Sequence, residues 1–249
     1  MITESYDIST DPVISLRDFY GEQKHIVDTC IIVLSRVISD TIHESFDCVK
    51  IGEIGACNGN IPVYSFVYHG KKLAFYLSPL GSTLAAQCCI EANWITGAKN
   101  FIMFGSCGSL DREKTDGRFI IPTESRRDEG MSYHYAPPAD YITIRNSGRL
   151  SEIFDELAVP YVMGRVWTTD AMLRETRGLV AKRQSEGCVA VEMELAGVQA
   201  VCDFYGFELY DFLAAGDVLS GEVYSNAGLH NANHNTDKLF IALEVAGRI

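Results

Sequence analysis

Three carboxylates are the side chains of this sequence best spaced to do chemistry together: Glu192, Glu194 and Asp217, in the stretch VAVEMELAGVQAVCDFYGFELYDFLAAGDVLSG from Val189 to Gly221. Met193, Ala196, Gly197, Ala200, Val201 and Phe204 fall at helical spacing, which predicts one apolar helix face. Gly206 should end that helix, since glycine takes a left-handed conformation without a Cβ clash. Leu209 to Ala215 then reads as a buried strand closed by Gly216 and Asp217. Asp217 is therefore expected just past the carboxyl end of a strand, where open α/β sheets bind ligands. Burial there raises a carboxyl pKa toward the range a general acid needs. On the residues alone, plainer roles stay open. Asp217 could simply accept backbone hydrogen bonds in a turn, and Glu194 could be a solvated residue favoured by the helix dipole.

A second constellation precedes these acids. Asn100 to Phe104 predicts a short buried strand, and Gly105-Ser106-Cys107-Gly108-Ser109 follows it as an expected loop. Gly105 and Gly108 would let backbone N–H groups converge on an anion, with the Ser106 hydroxyl as a further donor. A tight turn without a ligand is the alternative. Further on, Arg127-Asp128-Glu129-Gly130 with Ser132, His134 and Tyr135 makes a charged turn, which by default is a surface network.

Together these segments resemble the nucleoside phosphorylase family that includes purine nucleoside phosphorylase, uridine phosphorylase and methylthioadenosine nucleosidase. The resemblance rests on Val191-Glu192-Met193-Glu194 with Ala196-Gly197, on Gly216-Asp217, on the Gly-Ser-Cys-Gly run, and on the Arg127 to Tyr135 segment. It spans about residues 60–220 and implies cleavage of the N-glycosidic bond of a purine nucleoside by phosphate, giving free base and ribose 1-phosphate. Asp217 would share a proton with purine N7 as the base departs, leaving an oxocarbenium-like ribose open on its other face. The resemblance assigns ribose to Glu194 and Met193, with Glu192 either contacting ribose or serving the structure. It assigns phosphate to Gly105, Ser106 and Arg36, and the base to Met172, Cys107 and Gly108. Arg127 and His134 would line or brace the site.

The sequence departs from the family where phosphate should bind. Phosphorolytic members carry an arginine at the position of Met103, and their Gly-Asp-Pro-x-x-Arg loop after the first strand is absent, leaving Arg36 as the substitute. The Gln-x-Arg that selects uracil is replaced around Thr176-Arg177. A hydrolytic nucleosidase, a uridine phosphorylase-like enzyme and a nucleoside-binding protein without turnover therefore stand as alternatives.

Several elements must position these residues. Cys30 to Leu34 predicts the first buried strand, with Ser35 and Arg36 at its carboxyl end, and Tyr64–His69 with Leu73–Leu77 predicts a hairpin about Gly70-Lys71-Lys72. Thr83 to Ile95 predicts a helix stopped by Gly97, and strands are expected over 118–122 and 161–167. Helices are expected over 148–157 and over 235–245, the latter with a stripe of Leu239, Phe240, Leu243 and Val245. Alternating strands and helices argue an α/β protein. The resemblance refines it to a single domain, residues 21–249, with a central mixed sheet forming a distorted barrel flanked by helices, preceded by an arm over 1–20.

Twenty-one basic against 33 acidic residues give a net charge of -12, which disfavours nucleic acid and anionic membranes as partners. No apolar run approaches ~20 residues, and the N-terminus lacks a basic-then-apolar signal, so a cytoplasmic protein is expected. The eight cysteines lack paired CxxC spacing, so free thiols are expected and neither a disulfide framework nor a zinc site. No metal or organic cofactor is implied, phosphate being a co-substrate. The family site implies a homo-oligomer, a dimer or trimer of dimers.

Overall fold

The computed structural model describes residues 5–221 and 223–249. The arm expected over 1–20 thus begins outside the described residues. Its described part carries a short helix, α1 (Leu16–Tyr20), whose Tyr20 hydroxyl donates to Glu91 and accepts from the Gly55 N–H at 2.8 Å.

The apolar runs become strands because each can bury both faces. β1 (Thr29–Val33) is buried along its whole length, and each such Ile or Val contributes about 1.5–3 kcal/mol. It lies parallel between β4 (Lys71–Leu77) and β5 (Asn100–Ser109). β2 (Val49–Ile54) and β3 (Ile61–Tyr68) extend the sheet antiparallel beyond β4. On the other side of β1, β5 runs parallel to β10 (Glu208–Val218), and β10 pairs antiparallel with β6 (Phe119–Asp128). β6 lies parallel to β8 (Tyr161–Thr169), β8 to β9 (Cys188–Glu192), and β9 returns antiparallel to β5. The ring of β5, β10, β6, β8 and β9 closes the barrel. A short β7 (Tyr141–Thr143) pairs with β6.

Strand alternation sends Cys30, Ile32 and Phe101 toward α3 (Ser82–Thr96) and α7 (Leu195–Tyr205), which pack on one face of the sheet. Ile31, Val33 and Ile102 go to the other face, under α2 (Arg36–Ser45), α5 (Ser147–Glu156) and α9 (Asp237–Arg248). The minor helices α4 (Arg112–Thr115), α6 (Arg177–Ser185) and α8 (Leu229–His234) complete the chain. The expected single α/β domain with a partly closed mixed sheet is what is observed. All eight cysteines are free thiols.

Four local expectations are corrected. Gly105 to Ser109 is no loop: it continues β5, paired with β10 and β9, and neither Gly105 nor Gly108 has a positive φ. Gly108 serves close packing instead, since a Cβ there would stand 2.4 Å from Leu219 Cδ1. Asp217 lies within β10, directly after a register shift between Ala215 and Asp217, rather than past the strand end. The helix after Glu192 begins at Leu195, so Met193 and Glu194 form the link from β9 to α7; that helix is buried nearly all round, while Phe204 is half exposed. The helix expected over 235–245 is α9, with α8 preceding it outside that range, but Phe240 faces outward instead of joining Leu239, Leu243 and Val245. Gly206 and Gly97 do terminate their helices in the left-handed conformation.

Candidate active site

The carboxyl ends of β1, β5 and β10 and the β9–α7 link converge on one cavity of about 330 Å³, within the range of small-molecule sites. Asp217, Glu192, Met193 and Glu194 line it, as do Gly105, Ser106, Cys107 and Gly108. Arg36 and Met172 also line it. Ten of the residues singled out in the sequence thus share one cavity.

Two residues singled out do not line it. Arg127 is buried and donates to Ser132 Oγ (2.7 Å) and to the carbonyls of Pro137 (2.6 Å) and Ala136 (3.3 Å), so its charge is spent on holding the 131–137 segment. His134 is exposed and packs edge-on against Tyr6. Arg127 reaches the site only through a relay: Ser132 donates to Glu129, which accepts from Ser82 at 3.1 Å, and Ser82 Oγ lies 3.5 Å from the Glu194 carbonyl. This relay needs α7 close to α3. A Cβ on Gly197 would fall 2.1 Å from Ser82 Oγ.

Glu192 is a brace. One oxygen accepts the N–H groups of Glu194 (2.6 Å) and Leu195 (2.7 Å), and the other accepts from Thr168. Burial, then the charge of Glu194, pushes its carboxyl up to about 8. Glu194 accepts the Gly81 N–H at 2.7 Å on Oε1. Burial raises its pKa as well, opposed by the backbone N–H groups of Gly81 and Met193. A carboxylate has about four lone-pair sites, so two such donors leave it capacity to accept ligand hydroxyls from the cavity. Asp217 is half-buried; burial raises its carboxyl and a hydrogen bond from the Tyr224 hydroxyl opposes the rise. Such a group can hold a proton and give it up.

Sequence reasoning missed other polar residues of the cavity wall. Glu175 lines the cavity, lifted to about 7 by burial and then by Asp217. Tyr224, Asn233, His234 and Lys238 also line it. The Leu229–His234 run, LHNANH, has too few apolar residues to announce a helix, and only its place soon after Asp217 could have flagged it. Its position follows from two glycines. A Cβ on Gly216 would lie 2.9 Å from Ala232 Cβ, and one on Gly228 would lie 2.6 Å from the Gly216 carbonyl, so α8 sits directly on the end of β10. Lys238, on α9, donates its buried Nζ to the Ala232 carbonyl, and burial lowers its pKa to about 8.

The end of the cavity that was expected to take phosphate differs from expectation in its contacts. Ser106 Oγ donates to Asn233 Oδ1, and Ser35 Oγ lies 2.9 Å from His234 Nδ1. Met103 is buried in the core and does not line the cavity. Arg36 is exposed at the rim. Among the described residues there is no group of three metal-ligating side chains.

Beside this geometry stands a family match over most of the chain: the phosphorylase superfamily matches residues 36–244. The chain belongs to the phosphorylase superfamily. It is similar to the DeoD-type purine nucleoside phosphorylases of Bacillus thuringiensis (strain Al Hakam) and Bacillus mycoides (strain KBAB4). Each is 26% identical over 163 residues, 64% of this chain and 69% of the relative. Its fold is similar to that of native futalosine hydrolase from Helicobacter pylori strain 26695. The TM-score is 0.71 at 17% identity, covering 90% of this chain and 99% of that one. A mutant of the same hydrolase matches with a TM-score of 0.70, again at 17% identity, covering 90% and 100% of the two chains. In this chain Glu194 and Asp217 line one cavity, and position 103 is a methionine.

Proposed function

We propose that this protein cleaves the N-glycosidic bond of a purine nucleoside with water as the acceptor, releasing free base and ribose. Glu194 would hold ribose hydroxyls through its carboxylate, Met193 would pack beneath the sugar, and Asp217 would protonate the departing base. The purine preference is supported by the DeoD-type relatives and by the replacement of the uracil-selecting residues.

One observation carries the choice of water over phosphate. Both hydroxyls at the acceptor end, Ser35 and Ser106, are engaged by His234 and Asn233 of α8. A phosphate would have to break both contacts. It would also bind without the bidentate arginine contact that makes phosphate recognition strong. Phosphorolysis is the second reading, favoured by the cationic Arg36 and Lys238 at the cavity and by the names of the DeoD-type relatives.

No metal or organic cofactor enters either scheme. A homo-oligomer built on dimers and a cytoplasmic location belong to the proposal. The test is a panel of purine and pyrimidine nucleosides offered with and without inorganic phosphate. Free base and free ribose at a rate indifferent to phosphate is the expected result. Ribose 1-phosphate, formed at a rate that climbs over millimolar phosphate, would replace it with the second reading.

A further inference from the structure

Water and phosphate make different demands on the acceptor end. Phosphate arrives already anionic, whereas water attacking C1′ must lose a proton, and a positioned base is worth ~100- to 10,000-fold in such a step. The carboxylates of the cavity are otherwise committed. Glu192 is held by two backbone N–H groups and Thr168, Glu194 is bonded to Gly81, and Asp217 stands at the leaving-group end together with Glu175, which lies close enough to feel its charge.

We propose that His234 is the general base that activates the attacking water, with Ser35 as the positioning residue that fixes its tautomer; this rests on the hydrolytic reading above. Ser35 caps α2, its Oγ accepting the Ile38 N–H at 3.5 Å, and the same oxygen stands 2.9 Å from His234 Nδ1. An Nδ1–H donated to Ser35 leaves Nε2 unprotonated on a ring that lines the cavity. The ring is further fixed by an edge contact with His230, at 4.8 Å between centroids.

The two ends lie at different places along β5. Ser106, bonded to the residue next to His234, is registered with Ala214, and Gly108 with Asp217. Two residues of strand, ~7 Å, divide them. The α8 end of the cavity and Asp217 therefore meet β5 at different points along the strand. In the step, the water oxygen bonds to C1′ as the C1′–N9 bond breaks. The electron pair of that bond goes to the purine, which takes the Asp217 proton at N7, and the water's proton passes to His234 Nε2. Exchange with solvent resets both groups.

Azide tests this, because it is a nucleophile with no proton to lose. Purified wild type, His234→Ala and His234→Gln are assayed on a cleaved nucleoside with and without sodium azide, following free base and ribosyl azide. Nucleoside affinity is measured separately. His234→Gln keeps an amide donor for Ser35 and guards against a merely misplaced α8. The expected result is a loss of ~100-fold or more in turnover for both variants. Affinity should stay within a few-fold of wild type, and azide should restore base release with ribosyl azide as product. Near-wild-type turnover in either variant, or a loss that azide leaves unrepaired, overturns the role of His234 while leaving the hydrolytic reading intact. Wild type that yields only ribose 1-phosphate, or cleaves no nucleoside, overturns both.

Discussion

Asp217 stands opposite Gly108 across the β10–β5 pair, and a Cβ on that glycine would lie 3.4 Å from Asp217 Oδ1. The acid is thus held over bare backbone, with its carboxyl set by the register shift that follows Ala215. If it donates its proton only as the glycosidic bond breaks, Asp217→Asn removes transition-state stabilisation and little of the ground-state binding. Turnover on an unactivated purine nucleoside should fall ~100- to 10,000-fold while nucleoside affinity changes only a few-fold. Steady-state kinetics beside equilibrium binding measure the two separately. A variant that turns over near the wild-type rate would remove Asp217 from the mechanism.

Gly108→Ala should disturb both packing and chemistry. Its new Cβ would meet Leu219 Cδ1 at 2.4 Å and Val191 Cγ1 at 3.0 Å, besides the Asp217 oxygen. Overpacking of this kind costs roughly 1–3 kcal/mol. At Gly105 the nearest atom to a new Cβ is Leu34 Cδ1 at 3.3 Å, an ordinary side-chain tip with room to give. Urea unfolding should therefore show Gly108→Ala less stable than Gly105→Ala, with the larger loss of turnover in the former. Equal stability of the two would show that Leu219 moves aside without cost.

The same glycines mark where the sequence misleads. Read in isolation, Gly-Ser-Cys-Gly promises a flexible anion loop. In the fold the run continues a strand, and Gly108 is the place where neighbouring side chains come too close for a Cβ. Buried strands such as β1 and β10 were legible because burial on both faces demands an apolar run, and Gly97 and Gly206 because a helix end needs a left-handed residue. Glu194 and Asp217 were legible through their family setting. α8 was not, since Asn233 and His234 are polar residues whose meaning comes only from Ser106 and Ser35, more than a hundred residues earlier in the chain. For Arg127 the motif leaves lining and bracing of the site equally open. A charged residue in a motif suggests a ligand, yet its partners are backbone carbonyls and Ser132.

The buried acids give a further expectation, in the pH dependence of stability. Glu192 is displaced upward to about 8 by burial and by Glu194, and Glu175 to about 7 by burial and by Asp217. Burial raises Glu194, Asp211 and Asp217 in the same direction. A carboxyl that binds its proton more tightly in the folded state stabilises the fold fully below its unfolded pKa. That contribution is lost as pH rises through the folded value. For Glu192 the window runs from its ordinary 4.5 to about 8. Lys238, lowered to about 8, acts in the alkaline direction beyond this window, and the lowered carboxyls such as Asp18 and Glu53 act on its acidic side. Folding stability should therefore decline between about pH 5 and pH 8. Glu192→Gln, which keeps an oxygen for the Glu194 and Leu195 N–H groups but has no charge to bury, should decline less. The difference between the two declines should exceed about 1 kcal/mol, since a tenfold change in proton affinity is worth about 1.4 kcal/mol. Urea unfolding of both proteins at pH 5, 6.5 and 8 measures it. Parallel declines would mean that Glu192 stays ionised in the fold, held by its two backbone donors and Thr168 against both burial and Glu194.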